Sequence, residues 1–357
     1  MAETKYIFVT GGVASSLGKG IISSSIGKLL QARGYSVTIQ KFDPYINIDP
    51  GTLNPYEHGE CYVTVDGHEA DLDLGHYERF TGAQLNKYSN LTSGKVFNSV
   101  IEKERKGEYL GKTVQIIPHV TDETKRFIKK AAVATGADVV ITEIGGTIGD
   151  IESRHFLEAI RQFALDVGRE NCAYIHVCLV PYISGSNEYK SKPTQHSVNE
   201  LQGMGINPDV IVLRSDGEVG EDIRRKIALF CNVKPDCVIS DITLDCLYET
   251  PIALHNAGLD KAVCKALKLG GRLQLSDWKA FVKRAKNVKT EVKIALVGKY
   301  VALHDAYLSV AEALRSGGYA VNVKVDIAWV DSETVTDNTA KKIFGDADGI
   351  IIPGGFG

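Results

Sequence analysis

Apolar runs alternate with amphipathic stretches along the first 240 residues of the chain. The runs are rich in β-branched and aromatic residues, and they predict strands at 5–10, 36–41, 114–118, 137–142, 173–180, 210–214 and 237–240. Apolar positions at helical spacing between them predict helices at 20–33, 122–135, 153–168, 195–203 and 218–230. This alternation is typical of a P-loop-like, three-layer α/β domain with a mainly parallel sheet.

A change of pattern near residue 270 predicts a domain boundary. Residues 271–292 contain an amphipathic stretch and a Lys-rich connector, and a new strand–helix–strand pattern follows at 292–297, 304–317 and 320–327. We therefore predict one domain at 1–270, a linker at 271–292 and an incomplete second α/β domain at 293–357. Because so short a segment cannot close a doubly wound sheet, we expect it to be partly ordered at best.

Composition narrows the class of protein. Lys plus Arg total 41 against 44 Asp plus Glu, a formal net charge of -3, which gives no support for a nucleic-acid coat or a polybasic membrane anchor. The seven cysteines include no CxxC pair, as expected for free thiols in a reducing compartment. No apolar run approaches the roughly 20 residues of a membrane helix, and no signal-peptide pattern precedes the first strand. These features predict a cytoplasmic, soluble protein without nucleic-acid or membrane partners.

A glycine-rich loop joins the first predicted strand to the first predicted helix, with the sequence VTGGVASSLGKG at residues 9–20. Glycines let backbone N–H groups turn towards a phosphate, the helix N-terminus adds a positive end, and Lys19 adds a full charge. Five residues separate Gly12 from Gly18, and Gly20 stands where a Walker A motif has Ser or Thr. A merely Gly-rich turn is the alternative, but a lysine between glycines at this position favours phosphate binding. The missing hydroxyl implies that magnesium is coordinated from elsewhere.

Two acidic segments are candidates for that coordination. One is DLDLGHYERF at 71–80, and the other contains Glu143 in ITEIGGTIGDIES, after a predicted strand. Magnesium bound to a nucleotide prefers one or two carboxylates together with phosphate oxygens and water. An isolated acidic residue after a strand is more often a solvated loop residue. Paired with a phosphate loop that lacks its metal-binding hydroxyl, however, a metal role is favoured.

Longer motifs carry a family resemblance that covers essentially the whole chain. The runs are TGGVASSLGKG, KFDPYINIDPGT, HGE, DLDLGHYERF, EIGGTIGDIES, KPTQHSV and KIALFCNV. Together, and in this order, they resemble the CTP synthases. The closing PGGFG resembles the start of the family's class I glutaminase domain, where this turn helps to form the oxyanion hole.

The resemblance implies an activity with defined partners. CTP synthases convert UTP to CTP: ATP, as co-substrate with Mg²⁺, phosphorylates the uracil O4, ammonia attacks C4, and phosphate leaves. Phosphorylation turns a poor leaving group, the carbonyl oxygen, into a good one. CTP is the feedback inhibitor, and the family forms homotetramers and filaments.

The resemblance also implies roles at matching positions around ATP. Lys19 and Lys41 are the candidate catalytic cations, and Asp73 and Glu143 are the candidate magnesium ligands. The expected ATP-binding residues are Ser16, Leu17, Gly18, Lys19, Gly20, Ile21, Asp73, Ile242, Thr243 and Leu244, of which the last three are the adenine-contacting segment.

A second set of positions is expected to bind UTP or CTP. Read without the resemblance, the lysines of this set are also consistent with a solvated basic loop and a surface helix. The expected residues are Ser15, Asp150, Ile151, Glu152, Lys190, Ser191, Lys192, Pro193, Thr194, Gln195 and Lys226.

The glutaminase resemblance leads to a further expectation. The family's glutaminase uses a Cys nucleophile with a downstream His and Glu, and these positions are expected beyond Gly357. We therefore expect this chain to use free ammonia and not glutamine, with Gly355 as a remnant of the glutamine site.

Two other readings remain open at this point. A dethiobiotin-synthetase-like ATP-dependent ligase shares the unusual phosphate loop but has no requirement for UTP, and KPTQHSV and DLDLGHYERF weigh against it. A nucleotide-sensing assembly module without activity is the non-enzyme reading. The presence of Lys19, Asp73 and Glu143 together favours an enzyme.

Overall fold

The computed structural model describes residues 3–354, which form two compact units. The first unit contains the residues up to Asp49, residues 64–68 and residues 76–275. The second contains residues 50–63, residues 69–75 and the chain from Ser276 onward. The division at Ser276 lies within the linker predicted at 271–292. The functional division into domains stays a prediction.

The strands and helices follow in chain order. The strands are β1 (Lys5–Gly12), β2 (Val37–Asp43), β3 (Tyr62–Val63), β4 (Glu69–Ala70), β5 (Asn90–Thr92), β6 (Val139–Ile144), β7 (Cys172–Leu179), β8 (Tyr182–Ile183), β9 (Glu188–Tyr189), β10 (Val210–Ser215), β11 (Val238–Ile242), β12 (Thr290–Gly298), β13 (Val323–Asp331) and β14 (Gly349–Ile351). The helices are α1 (Lys19–Gln31), α2 (Pro55–His58), α3 (Asp73–Thr81), α4 (Ser93–Arg105), α5 (Thr121–Thr135), α6 (Arg154–Val167), α7 (Lys192–Gly203), α8 (Glu221–Phe230), α9 (Thr250–Ala257), α10 (Leu259–Leu267), α11 (Ser276–Lys286), α12 (Leu308–Ala320) and α13 (Ala340–Phe344).

The first unit is built on a seven-stranded parallel sheet. Its strand order is β11–β10–β7–β1–β6–β2–β5, so β1 lies at the centre and the direction of winding reverses beside it. The three-layer, mainly parallel α/β fold expected from the sequence is confirmed. All strands of such a sheet point the same way, and their carboxyl ends therefore share one edge, where ligands gather.

The strands of this sheet are buried on both faces, which explains their continuous apolar sequences. Phe8 and Phe42 face a core formed with α4, α5 and α6. On the opposite face α1 approaches closely at Gly27, where a Cβ atom would lie 3.1 Å from Ile39 Cδ1. Successive residues of each strand point to opposite faces of the sheet, and helices cover both faces, so consecutive apolar residues are all buried.

The strand predicted at 114–118 is wrong. These residues instead lead into a π-helical turn, Ile116–Val120, before α5. Ile116 and Ile117 are 49% and 51% exposed, and Pro118 has no N–H group to donate to a sheet. An apolar run ahead of a proline therefore forms a surface turn and not a strand. The other predicted strands of the first unit are confirmed to within two or three residues at each end.

The second unit contains the parallel sheet β13–β12–β14. Ala295, Val297 and Val330 form a small core on one face. An open apolar groove of about 760 Å³ lies between α12 and the sheet, lined by residues that include Ile294, Leu314 and Val325. The strands predicted at 292–297 and 320–327 are confirmed, although β13 begins three residues later.

A separate cavity of about 490 Å³ lies within the second unit, and all three residues of the HGE motif line it. Its lining includes His58, Glu60 and Tyr307. The Glu60 carboxylate accepts a hydrogen bond from the Ser309 backbone N–H at 2.8 Å, which fixes the wall of the cavity at Glu60.

Across residues 3–354, no helix is both long and apolar enough to span a membrane.

Candidate functional site

The phosphate loop lies where β1 ends, at the carboxyl edge of the first unit's sheet. Val13, Ser16 and Gly18 have positive φ angles of 80°, 56° and 82°, so the backbone reverses several times before α1 begins at Lys19. Left-handed residues alternating with others turn successive N–H groups to one side, as in backbone sites for anions. Gly18 is the N-cap of α1, and no side chain of the described residues caps this end. The loop and helix end therefore have the form that phosphate binding requires.

Lys19 is held over this loop in an ordered position. Its side chain is 8% exposed, and its Nζ donates a hydrogen bond to the Gly146 carbonyl at 2.7 Å. The stem crosses Gly11, where a Cβ atom would lie only 2.8 Å from Lys19 Cδ. Gly11 thus leaves room for the lysine side chain to fold back, so that its ammonium group contacts the loop after β6. A backbone carbonyl is a neutral partner, so a phosphate oxygen would be a stronger one.

Lys41 and Glu143 meet inside the sheet edge because β2 and β6 are neighbours in register at these two residues. Lys41 Nζ lies 3.1 Å from Glu143 Oε1, and both side chains are almost fully buried. The Tyr77 hydroxyl donates to Glu143 Oε2 at 2.5 Å. Asp43 Oδ1 lies 4.0 Å from Lys41 Nζ. A buried cation between carboxylates, one of them fixed by a phenol, forms a charged centre beside the loop after β1.

Two carboxylates, Glu143 and Asp73, are the candidate magnesium ligands. Glu143 supplies carboxylate oxygens, which magnesium prefers, and each oxygen has more than one lone-pair direction. Asp73 begins α3, and its N–H donates to Asp71 Oδ1 at 3.0 Å. Asp73 belongs to the second unit and Glu143 to the first. Residues 3–354 contain no group of three or more His, Cys, Asp or Glu side chains placed to hold a metal ion.

The segment expected to bind UTP leads into α7, after β7. Thr194 Oγ1 donates to the Leu179 carbonyl at 3.1 Å, and Gln195 Nε2 donates to Ser191 Oγ at 3.1 Å. The first bond ties the start of α7 to the end of β7, and the second lies within the first turn of the helix. Lys192 is exposed, with Nζ 5.6 Å from the centre of the Phe230 ring.

Lys190 and Lys226 are the other two lysines expected to bind the pyrimidine nucleotide. Lys190 Nζ forms an ion pair with Glu188, and Lys226 is exposed on α8. The hydrogen bond from Lys190, with a smaller contribution from the charge of Lys226, lowers the pKa of Glu188. The arrangement of the two lysines is compatible with an anionic ligand and also with a solvated basic surface.

The other expected ligand residues occupy different environments. Asp150 binds its own loop, with Oδ1 accepting from Thr147 Oγ1 at 2.9 Å, while Ile151 is 76% exposed. Thr243, in the adenine segment after β11, accepts a hydrogen bond from Arg214 Nη2 at 3.1 Å. Gly355 lies outside the described residues. Ile242 is the last residue of β11. The remaining positions lie on the loops and helix starts that follow β1, β6, β7 and β11, namely Ser15, Ser16, Leu17, Gly20, Ile21, Glu152, Pro193 and Leu244.

Sequence reasoning missed two parts of this site. One is Tyr77, which lies in the DLDLGHYERF run but was not assigned a role. The other is a buried histidine, His176, on β7 behind the phosphate loop. Neither has a local signal, because each is defined by partners far away in the sequence.

The parallel sheet, the left-handed loop at its carboxyl edge and the lysine folded over it are the features of a P-loop-like α/β protein. The chain matches the family model of the CTP synthase N-terminus over residues 5–269. It belongs to the CTP synthase family.

Individual relatives agree with this assignment. The CTP synthase of Streptococcus agalactiae is 57% identical over 355 residues, which cover 99% of this chain and 66% of that protein. The CTP synthase of Clostridium acetobutylicum is 58% identical over 356 residues, with the same two coverages. The chain thus spans 66% of the length of these relatives. The signal recognition particle 54 kDa protein of Aeropyrum pernix is 12% identical, covers 79% of this chain and 50% of its own, and has a TM-score of 0.38, too low to bear on function.

Proposed function

We propose that this chain performs the amidoligase reaction of CTP synthesis. ATP phosphorylates O4 of UTP, ammonia attacks C4, and phosphate leaves to give CTP. The observation that carries the proposal is Lys19 folded over a phosphate loop, in a chain whose sequence matches CTP synthases over 99% of its length.

The positively charged groups of the site are assigned to the ATP phosphates, and its carboxylates are assigned to magnesium. The loop N–H groups and the end of α1 hold the ATP phosphates, and Lys19 leaves the Gly146 carbonyl for the transferring phosphoryl group. Lys41 supplies a second positive charge from the sheet edge, and Tyr77 orients the carboxylate of Glu143. Asp73 and Glu143 would hold magnesium, which neutralises phosphate charge when bound.

The pyrimidine nucleotide is assigned to the segment after β7. Lys190, Lys192 and Lys226 supply positive charge for its triphosphate, while Gln195 and its neighbours fix the segment on α7. Asp150 and the two residues after it contribute to CTP inhibition. We also propose a cytoplasmic location and a homotetramer that forms filaments, both by analogy with the family.

The test is CTP formation by the purified 357-residue chain from UTP, ATP, magnesium and ammonium chloride. The variant is Lys19→Met, which keeps a stem over Gly11 and removes the charge. We expect its kcat to fall about 100- to 1000-fold, the size of the loss when one preorganised group that stabilises transition-state charge is removed. The matched control is Lys106→Ala, a surface lysine at the end of α4, which should retain activity.

The outcomes separate the competing readings. CTP formation lost only in Lys19→Met supports the amidoligase. Nucleotide binding without turnover, from ammonia or from glutamine, contradicts it and favours the assembly module. ATP hydrolysis that does not depend on UTP would point instead to a different ligase with the same loop.

A further inference from the structure

A chain of buried hydrogen bonds links the phosphate loop to α7 through His176. In the parallel pairing of β1 with β7, Thr10 stands opposite His176. Thr10 Oγ1 lies 2.8 Å from His176 Nδ1, and His176 Nε2 lies 2.8 Å from Ser197 Oγ. All three side chains are at most 4% exposed. The imidazole therefore joins the strand that precedes the phosphate loop to α7, whose first turn is part of the segment expected to bind UTP.

One tautomer satisfies every partner in this chain. Thr10 Oγ1 also lies 3.4 Å from the Ile175 carbonyl and can donate to it. If it does, it must accept from His176 Nδ1–H, and Ser197 O–H then donates to Nε2. The imidazole must be neutral for this arrangement. Burial, with a smaller contribution from the charge of Lys19, lowers the pKa of His176 to about 3.

The same contact fixes the position of the loop itself. A Cβ atom on Gly12 would lie 1.6 Å from Ser197 Oγ and 3.2 Å from His176 Nε2. Any side chain at this position is therefore excluded, and the backbone of Gly12 packs directly on the histidine and serine. A shift of α7 by a fraction of an ångström must move the start of the phosphate loop, because interiors are closely packed.

We propose that His176 is a positioning residue that couples the two nucleotide segments, so that a ligand at α7 and a ligand at the phosphate loop strengthen each other's binding. The proposal rests on the proposed function for the identity of the ligands, UTP and ATP. His176 is 0% exposed and its two ring nitrogens contact Thr10 and Ser197, so it acts through these two residues. Reciprocal coupling is the thermodynamic consequence when each ligand favours one arrangement of a shared element.

The experiment measures coupling directly and needs no turnover. The Kd of a non-hydrolysable ATP analogue with magnesium is measured by calorimetry on the full chain, with and without saturating UTP. We expect UTP to tighten the binding at least about fivefold, the lower end of typical coupling. The coupling ratio is the Kd of the ATP analogue without UTP divided by its Kd with UTP. In Thr10→Val and in Ser197→Ala we expect this ratio to approach one. The Kd of each nucleotide measured alone should change by a smaller factor than the ratio does.

Two variants separate coupling from simple damage to the fold. Thr10→Ser keeps the hydroxyl and should keep the ratio. Thr124→Val removes another buried hydroxyl of the same unit, which donates to the carbonyl of Val120 just before α5, and this variant should also keep the ratio.

Each remaining outcome counts against a specific claim. An unchanged ratio in both Thr10→Val and Ser197→Ala overturns the role of His176, as does a wild-type ratio of one. Loss of the ratio in Thr124→Val would also overturn it, since any buried hydroxyl would then suffice. Failure of the wild type to bind either nucleotide would overturn the proposed function itself.

Discussion

The two units are built from the same strand–helix–strand pattern but differ in how completely their sheets are covered. In the first unit every residue of β2 is buried, and so is all of β7 except its last residue. In the second unit, Val330 is the one buried residue among those of β13, and an apolar groove beside α12 stays open. Parallel sheets are normally stable only when both faces are covered. A correct local pattern therefore predicts the elements without predicting the stability of the sheet that they form.

Leucine truncation tests this difference with a matched pair. Leu213 on β10 and Leu296 on β12 are both 0% exposed, and a buried Leu→Ala change costs about 2–5 kcal/mol. We expect Leu296→Ala to unfold the second unit without denaturant, because its small core has little stability to lose. Leu213→Ala should leave the first unit folded with a lower unfolding midpoint.

The probes for the two units are separate. Both tryptophans of the chain, Trp278 and Trp329, belong to the second unit, so their fluorescence follows that unit. Far-UV circular dichroism reports mainly on the larger first unit. Unfolding by urea that shows one shared transition for both probes, in the wild type and in both variants, would contradict the difference in stability.

Limited proteolysis gives a second measure of the same comparison. Cleavage requires local opening, and opening is easiest where few apolar groups are buried. We expect cuts between 290 and 354 to appear at least about tenfold faster than cuts within the seven-stranded sheet, a difference of about 1.4 kcal/mol in opening free energy. Mass spectrometry of the fragments identifies the sites. Survival of the 290–354 segment for as long as the first unit would refute the expectation of partial order.

The fold of the first unit was predictable because its signals are local. Continuous apolar strands, helical spacing and the glycine loop each occur within about 15 residues, which is the range of a pattern argument. The edge strand β5, with the polar sequence NLT, carries no such signal, although all three residues are buried. It forms because β2 provides a partner. The run at 114–118 shows the opposite error, an apolar sequence that the sheet does not use.

The candidate site divides in the same way. Lys19 was predictable from its neighbours in sequence. The partner of Glu143, Tyr77, is 66 residues away, and that of His176, Thr10, is 166 residues away. Tyr77 lies on α3 and Thr10 on β1, and only the folded structure brings each of them to its partner. Burial then determines their chemistry, which no spacing rule contains.

The burial of a neutral histidine in the first unit should have a smaller effect, on the pH dependence of the free energy of unfolding. His155 packs between Phe97 and Phe156, and burial lowers its pKa from 6.5 to about 4. Between pH 4 and 6.5 the unfolded chain therefore binds more protons than the folded one, so stability falls as the pH decreases through this range. At pH 5.5, one unit below the unfolded value, this group alone costs about 1.4 kcal/mol relative to neutral pH.

The variant His155→Phe isolates this contribution. It removes the titrating group, so we expect its unfolding free energy to fall about 1.4 kcal/mol less than that of the wild type between pH 7.5 and 5.5. The absolute stability at pH 7.5 is a separate quantity, because Ser93 Oγ loses its partner at 3.2 Å. Urea unfolding followed by circular dichroism at both pH values gives the difference. The tryptophan transition is the internal control, since His58 and His304 of the second unit are not buried and the substitution should leave its pH dependence unchanged. An equal pH dependence of the circular dichroism transition in the variant and the wild type would mean that His155 is protonated in the folded protein at pH 5.5, and its burial would then not be the source of the acid sensitivity.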